Sequence, residues 1–286
     1  MTVPRADRPA VGPSRHWRVS ATARLLVTAI MAIVGLSACG SPAPSAGQAA
    51  SGAGQSSTSA TTLTVFAAAS LAGPFDQIAT AFSAAHPGVT VRYSYGGSSD
   101  LVSQLAAGAP ADVLATADER TMQQAKDQGL VPQSTLFATN QLAILVAKGN
   151  PLGIVGARDL SHPALKLVTC APQVPCGAAT DRTLKAAGIS VSPVSEEANV
   201  TDTAGKVTSG QADAAVVYTT DVAKAEAAGK GTGIPLGIDQ TPNRYPLGVT
   251  TSGAKGSAAA AAQDYVAYVT GPDGQAILAR AGFGRP

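Results

Sequence analysis

The stretch LTVFAAASLAGPFDQIATAFSAAHPG, residues 63–88, carries a complete structural unit. Leu63–Phe66 is a short apolar run rich in β-formers and reads as a strand. After Ala67-Ala68-Ala69-Ser70, the residues Phe75, Ile78, Ala79 and Phe82 recur at i, i+3, i+4 and i+7, which lines one face of a helix. His86-Pro87-Gly88 stops that helix. Outward from this unit the alternation continues. Val89–Tyr95 alternates as a second strand, Leu101, Val102 and Leu105 mark a helix closed by Gly108 and Pro110, Val113–Thr116 is a third strand, and Glu119–Gln128 is a helix ended by Gly129. Strand–helix alternation predicts a parallel sheet with helices on both faces. After Leu142–Ala147 the pattern resumes: a strand at Lys166–Thr169, a helix at Ala178–Ala187, part of a short helix at Gly205–Ser209 and a buried strand at Ala214–Tyr218. Ser257–Thr270 and Gln275–Arg280 read as two closing helices. There is no internal sequence repeat, and two α/β lobes of similar size account for the elements.

The 286 residues are 45% hydrophobic and 13% charged, the composition of a chain with a large core. Of the formal charge of +2, residues 1–38 contribute +4 (Arg5, Arg8, Arg15, Arg18 and Arg24 against Asp7), which leaves −2 on the rest. A weakly acidic body argues against nucleic acid as a partner and against broad electrostatic steering of an anion. The arginines precede an apolar run, Leu25 to Leu36, too short to span a bilayer comfortably. It ends in Leu36-Ser37-Ala38-Cys39, which resembles the lipobox of bacterial lipoprotein signals. That resemblance makes 1–38 a signal peptide and Cys39 the lipidated first residue of the mature chain. The alternative is an ordinary secretory signal with an incidental cysteine. Residues 39–62 are almost entirely Ser, Ala, Gly, Thr, Gln and Pro, and read as a flexible tether. In an exported protein, Cys170 and Cys176, six apart, are expected to form a small disulfide. The pair lacks the further ligands of a zinc site and the CxxC spacing of a redox pair.

Several polar positions sit where a strand gives way to a helix: Ser70, Ser98, Cys176-Gly177 and Asn199-Val200-Thr201. In a parallel α/β sheet such junctions lie along the carboxyl edge, where ligands bind, and helix N-termini attract anions. Tyr218, at the end of a strand, adds a phenol donor at the same edge. Taken singly, the serines read rather as helix N-caps and Tyr218 as a rim tyrosine with its hydroxyl in water; it is their common placement that favours a binding edge. Catalytic patterns are poor. Gly96-Gly97-Ser98-Ser99-Asp100 lacks the closing glycine of a nucleophile elbow. His86 and His162, each beside a proline, read as solvated loop histidines, and Glu196-Glu197 as a solvated face. No HExxH, GxxxxGK[ST] or GxGxxG occurs.

Across Leu63 to Phe283 the chain resembles the molybdate-binding proteins of bacterial ABC importers. The residues that carry the resemblance are Val65-Phe66-Ala67-Ala68-Ala69-Ser70-Leu71, Gly108-Ala109-Pro110-Ala111-Asp112-Val113-Leu114, Ala117-Asp118, Val174-Pro175-Cys176-Gly177, Val217-Tyr218 and Gly271-Pro272. The resemblance implies a two-lobed type II periplasmic-binding-protein fold with the ligand in the cleft. Lobe 1 would be 63–140 plus 246–286 and lobe 2 would be 141–245, with crossovers near Gln141–Ala147 and Tyr245–Thr250. It implies an oxyanion held by the hydroxyls of Ser70, Ser98 (next to Ser99) and Tyr218 and by the amides of Cys176 and Val200. Molybdenum would be held as the oxyanion, with no protein atom bonded to the metal and no cofactor. Molybdate, and tungstate as its near equal in size, are the implied ligands; sulfate or thiosulfate is the alternative, and a secreted α/β hydrolase using Ser98 a more distant one. The implied partners are the permease and ATPase of the importer, the implied place the outer face of the cytoplasmic membrane, and the implied state a monomer. A Cys39→Ala variant is expected to leave the membrane fraction while staying folded; a variant that remains fully membrane-bound would show that Cys39 is not the anchor.

Overall fold

The structure is a computed structural model and describes residues 60–286. The signal segment, Cys39 and the tether up to residue 59 lie outside the described residues.

The first sheet takes β1 (Thr61–Ala68), β2 (Val89–Gly96), β3 (Val113–Ala115) and β4 (Thr135–Asn140) from the first part of the chain. Between them run α1 (Ala72–Ala85), preceded by a 3-10 turn at Ala69–Leu71, then α2 (Ser98–Ala106) and α3 (Glu119–Asp127). The second sheet takes β5 (Leu142–Val146), β6 (Leu167–Cys170), β7 (Ser195–Glu197), β8 (Ala214–Tyr218) and β9 (Thr232–Pro235), with α4 (Pro175–Ala186), α5 (Val200–Thr208) and α6 (Thr219–Ala227). β10 (Asn243–Val249) then rejoins the first sheet, and α7 (Ala259–Thr270) and α8 (Pro272–Arg280) pack on it.

The strand orders are β2-β1-β3-β10-β4 and β7-β6-β8-β5-β9. In each sheet three strands run parallel and the two beyond them are joined antiparallel, so the sheets are mixed rather than wholly parallel. The two sheets repeat one topology although the sequence shows no repeat. Each lobe must solve the same burial problem with its own residues. The first core is aromatic, with Phe75 lying 5.8 Å from the rings of both Tyr93 and Phe137 and Tyr265 packed edge-on against Phe82. The second is aliphatic, built on Ile144, Leu145, Val168, Val216 and Val217.

Four expectations need correction. β1 starts at Thr61, inside the segment read as tether, because the β-branched Thr61 and Thr62 pair with Val89 and Thr90. α4 starts at Pro175, ahead of Cys176, since proline at the first helical position loses no hydrogen bond there. The return passage runs over 236–242 and not within 245–250: Tyr245 is already paired with Ala138, and Pro246 sits at a bulge, where a missing amide is tolerated. His86 is half-buried rather than solvated, stacked on Phe82 at 4.0 Å and bonded through Nδ1 to the Phe82 carbonyl; His162 is exposed. The two passages lie side by side, with Asn140 and Asn243 as register partners. Among the described residues no helix is long and apolar enough to cross a membrane.

α6 begins over a buried carboxyl. Asp221 accepts the Tyr218 N–H at 3.2 Å, and burial pushes its pKa up from 3.8 to about 7 against the opposing pull of that amide and of Lys224. The folded chain therefore holds this proton more tightly than the unfolded chain. Stability from Asp221 is complete below about pH 4 and is lost as pH rises toward the folded pKa. Asp221→Asn, which keeps an acceptor for the amide, should raise the melting temperature more at pH 8 than at pH 5. Thermal melts of both proteins across this range check it, and an equal difference at both pH values counts against the buried acid.

Candidate functional site

Ser70, Ser98, Cys176, Val200 and Tyr218 all border one cavity of about 20 Å³ between the two sheets. One water needs roughly 10–15 Å³, so the cavity as it stands is closed down to about the size of one small group. All five residues are buried, Ser98 and Tyr218 to 1% exposure. Larger hollows, such as the groove of about 340 Å³ beside Leu152 and His162, border none of them.

Each position arrives from a different element. Ser70 is in the 3-10 turn that follows β1, Ser98 opens α2, Cys176 lies in the first turn of α4, Val200 opens α5, and Tyr218 ends β8. The first-turn amides of a helix have no acceptor within it and carry partial positive charge, so α2, α4 and α5 bring several such groups to one point. The local sequence explains the starts. Gly97 precedes α2 in extended conformation, Pro175 opens α4, and the Asn199 side chain caps α5 by accepting the Asp202 N–H at 3.0 Å.

The bland readings of these residues do not match the geometry. Neither serine caps a helix: the cap of α2 is Gly97, that of α1 is Leu71, and neither receives a side-chain cap bond. Ser98 Oγ instead accepts the Ala117 N–H at 3.0 Å. Ser70 Oγ shares a hydrogen bond of 3.1 Å with the Tyr245 hydroxyl. The Tyr218 hydroxyl is in the interior rather than in water, and accepts from Asn243 Nδ2 at 2.8 Å. Ser99, beside Ser98 in sequence, turns elsewhere and donates to the Gln173 carbonyl at 2.6 Å.

No charged side chain borders the cavity. Burial raises the pKa of Tyr218 well above its ordinary value, with Tyr245, Asp118 and Asp221 adding to the effect, and burial raises that of Tyr245 as well. Both phenols therefore keep their protons and remain donors. Cys170 and Cys176 are joined by a disulfide that ties the end of β6 to the first turn of α4. Among the described residues no cluster of His, Cys, Asp or Glu is arranged to hold a metal ion.

The part that Asn243, Tyr245 and Ala117 play around the site was not read from the sequence, although Ala117 and Tyr245 were noted there for other reasons. Their partners are 126, 175 and 19 residues away, and no local pattern links a strand-initial asparagine to a tyrosine on another sheet.

Comparison with known proteins gives the same picture of the fold. The molybdate-binding protein ModA of Mycobacterium tuberculosis is 42% identical over 262 residues, covering 91% of this chain and 97% of that one. The solved molybdate-binding protein of Azotobacter vinelandii superposes with a TM-score of 0.67 at 23% identity, covering 78% of this chain and 99% of the other. The sulfate-binding protein SubI of M. tuberculosis does so with a TM-score of 0.64 at 24% identity, covering 78% and 86%. The profile of the bacterial extracellular solute-binding proteins matches residues 63–284, and the chain belongs to that family.

Proposed function

We propose that this protein captures molybdate, and tungstate with it, outside the cytoplasmic membrane and delivers it to the permease and ATPase of an ABC importer, held to the membrane as a monomer through lipidated Cys39. One observation carries the ligand class: hydroxyls and helix-terminal amides converge on one small cavity with no charged side chain at its wall. A dianion stripped of water is costly unless its oxygens are hydrogen-bonded. Donors at helix ends meet that need without a counter-ion. Phosphate near neutral pH keeps a proton that requires an acceptor, and a wall of donors disfavours it. Sulfate carries no proton either, and the fold is shared with a sulfate-binding protein, so fold alone does not separate the two. The 42% identity to a protein named for molybdate supports the larger anion.

A non-enzymatic role fits the same site. A hydrolase using Ser98 requires a histidine beside it; His86 is bonded to Phe82, His162 lies in an exposed loop, and neither borders the cavity.

Capture follows from the division of donors. Ser70 and Ser98 belong to the lobe of the first sheet, and Cys176, Val200 and Tyr218 to that of the second. One ion touches both sets only when the lobes meet. At the meeting line, a Cβ on Gly97 would collide with the Ala198 carbonyl oxygen, so only glycine allows this approach. Beside it Ser99 Oγ and Arg120 Nη2 both donate to the Gln173 carbonyl, the latter at 2.8 Å. Contacts made only in the closed form set how strongly a ligand shifts the balance toward it.

Calorimetry of residues 60–286 with molybdate, tungstate, sulfate and phosphate tests the reading. Tight binding of the first two and weak binding of phosphate is expected; preference for sulfate would move the protein to the sulfate class. Ser70→Ala, Ser98→Ala and Tyr218→Phe should each weaken molybdate binding by about 10- to 150-fold, the worth of a hydrogen bond to a charged group. Unchanged affinity in all three would remove the site. Removing the latch with Ser99→Ala and Arg120→Ala should loosen the ligand-free protein by a factor of about 5–10 in the open-to-closed ratio. Small-angle scattering should then report a larger radius of gyration than for wild type.

A further inference from the structure

We propose that Asn243 is a positioning residue that fixes the direction of the Tyr218 hydroxyl proton, and that Ala117 joins it to Ser98 in one chain of bonds across the two lobes. The inference rests on the oxyanion site proposed above.

The chemistry of four groups settles the polarity. The side-chain amide of Asn243 lies 3.0 Å from the Ala117 carbonyl oxygen and 2.8 Å from the Tyr218 hydroxyl oxygen. A carbonyl oxygen accepts and never donates, so the Asn243 atom that faces it is the amide nitrogen. That nitrogen carries two hydrogens, and the second points at Tyr218. The Tyr218 oxygen is thereby an acceptor in this bond, and its own hydrogen is turned away from Asn243, toward the side where the cavity and the Tyr245 hydroxyl lie. Burial keeps that hydrogen on the oxygen across the physiological range.

Ala117 does the equivalent on its other side. Its N–H donates to Ser98 Oγ at 3.0 Å, which occupies an acceptor position on that hydroxyl and frees the Ser98 hydrogen. Ser98, Ala117, Asn243 and Tyr218 thus form a continuous run in which both terminal hydroxyls accept one bond from it and keep a hydrogen to donate. Asn243 and Ala117 belong to the first lobe, whereas Tyr218 ends β8 in the second. All four are buried, Asn243 to 5%, so water does not readily replace the link. Without Asn243 the Tyr218 hydroxyl would rotate between donor and acceptor roles, and ligand binding would have to select one.

A double-mutant cycle read by calorimetry with sodium molybdate tests this. Asn243→Ala alone should weaken binding by about tenfold, the scale of one hydrogen bond's worth of preorganisation. In a Tyr218→Phe background the same substitution should cost almost nothing, because the group it positions is gone. Equal losses in both backgrounds would mean that Asn243 acts through the general structure, and the proposal falls. Asn243→Leu, closer to asparagine in volume, repeats the cycle, and thermal melts confirm that each variant is folded. The wild-type arm separates the two levels of inference. Failure of wild type to bind any tetrahedral dianion overturns the site itself, and a Tyr218→Phe affinity equal to wild type removes Tyr218 from it and the role of Asn243 with it. Tight wild-type binding with an additive cycle overturns only the role of Asn243.

Discussion

The first amides of a helix lack partners within it, and this structure turns that deficit to a purpose. α2, α4 and α5 open toward one cleft, with the 3-10 turn of Ser70 beside them. Each helix arrives by the same route, a strand running to its carboxyl end and a short junction before the helix begins. Repeating the parallel three-strand pattern in both sheets is what places such junctions on both walls. A dianion in the proposed site would meet donors from both lobes. A lysine or arginine there would strengthen attraction, but would also hold anions of any shape, protonated or not. Donors of fixed direction discriminate by the number and position of lone pairs and by room.

The direction of these donors is not a local property. A hydroxyl is ambidextrous, and only a neighbour that must donate, or must accept, settles its role. Here backbone groups of Ala117 and the amide of Asn243 supply those fixed roles, whereas the bond between Ser70 and the buried Tyr245 joins two hydroxyls, either of which can donate. This outer layer is assembled from residues far apart in the chain, which is why it was invisible in the sequence. The strand–helix alternation was readable because burial imposes a period on neighbouring residues: Phe75, Ile78 and Phe82 are all buried in α1. The positions of Ser70, Ser98, Cys176, Val200 and Tyr218 were readable because each stands at the end of a recognisable element. Composition misled where it treated polar as unstructured, as with Thr61 and Thr62, whose branched side chains suit β1. Periodicity missed β4, β7, β9 and α6; α6, for one, buries only Asp221, Val222 and Ala225, so a single strongly apolar residue marks its inner face.

The aromatic and aliphatic division of the two cores bears on how the lobes differ as mechanical bodies. The first lobe interlocks rings from α1, β2, β4, α7 and β10, with the hydroxyls of Tyr93 and Tyr265 bonded to one another at 2.8 Å. The second relies on branched aliphatic side chains. Tyr245 stands at the junction, its ring 6.0 Å from Tyr218 and 5.5 Å from Phe283, so that the return strand is packed against both lobes at once.

The loop between β6 and α4 shows how the second lobe compensates. It is only a few residues long, yet it carries the Gln173 carbonyl that two groups of the first lobe contact and Val174 that packs toward Gly97, and it leads directly to Cys176 at the cavity in the first turn of α4. The Cys170–Cys176 disulfide closes it covalently. On the far side of Cys176, Gly177 lies so near the Ala171 carbonyl that a Cβ would collide with it, so the helix start is pressed directly onto the strand end. A loop held at both ends by a covalent bond and by close backbone contact has already lost its conformational freedom in the free protein. Under the proposed closure, ordering it would add little to the cost of closing on a ligand, and binding energy that would otherwise be spent on the loop would remain available for affinity.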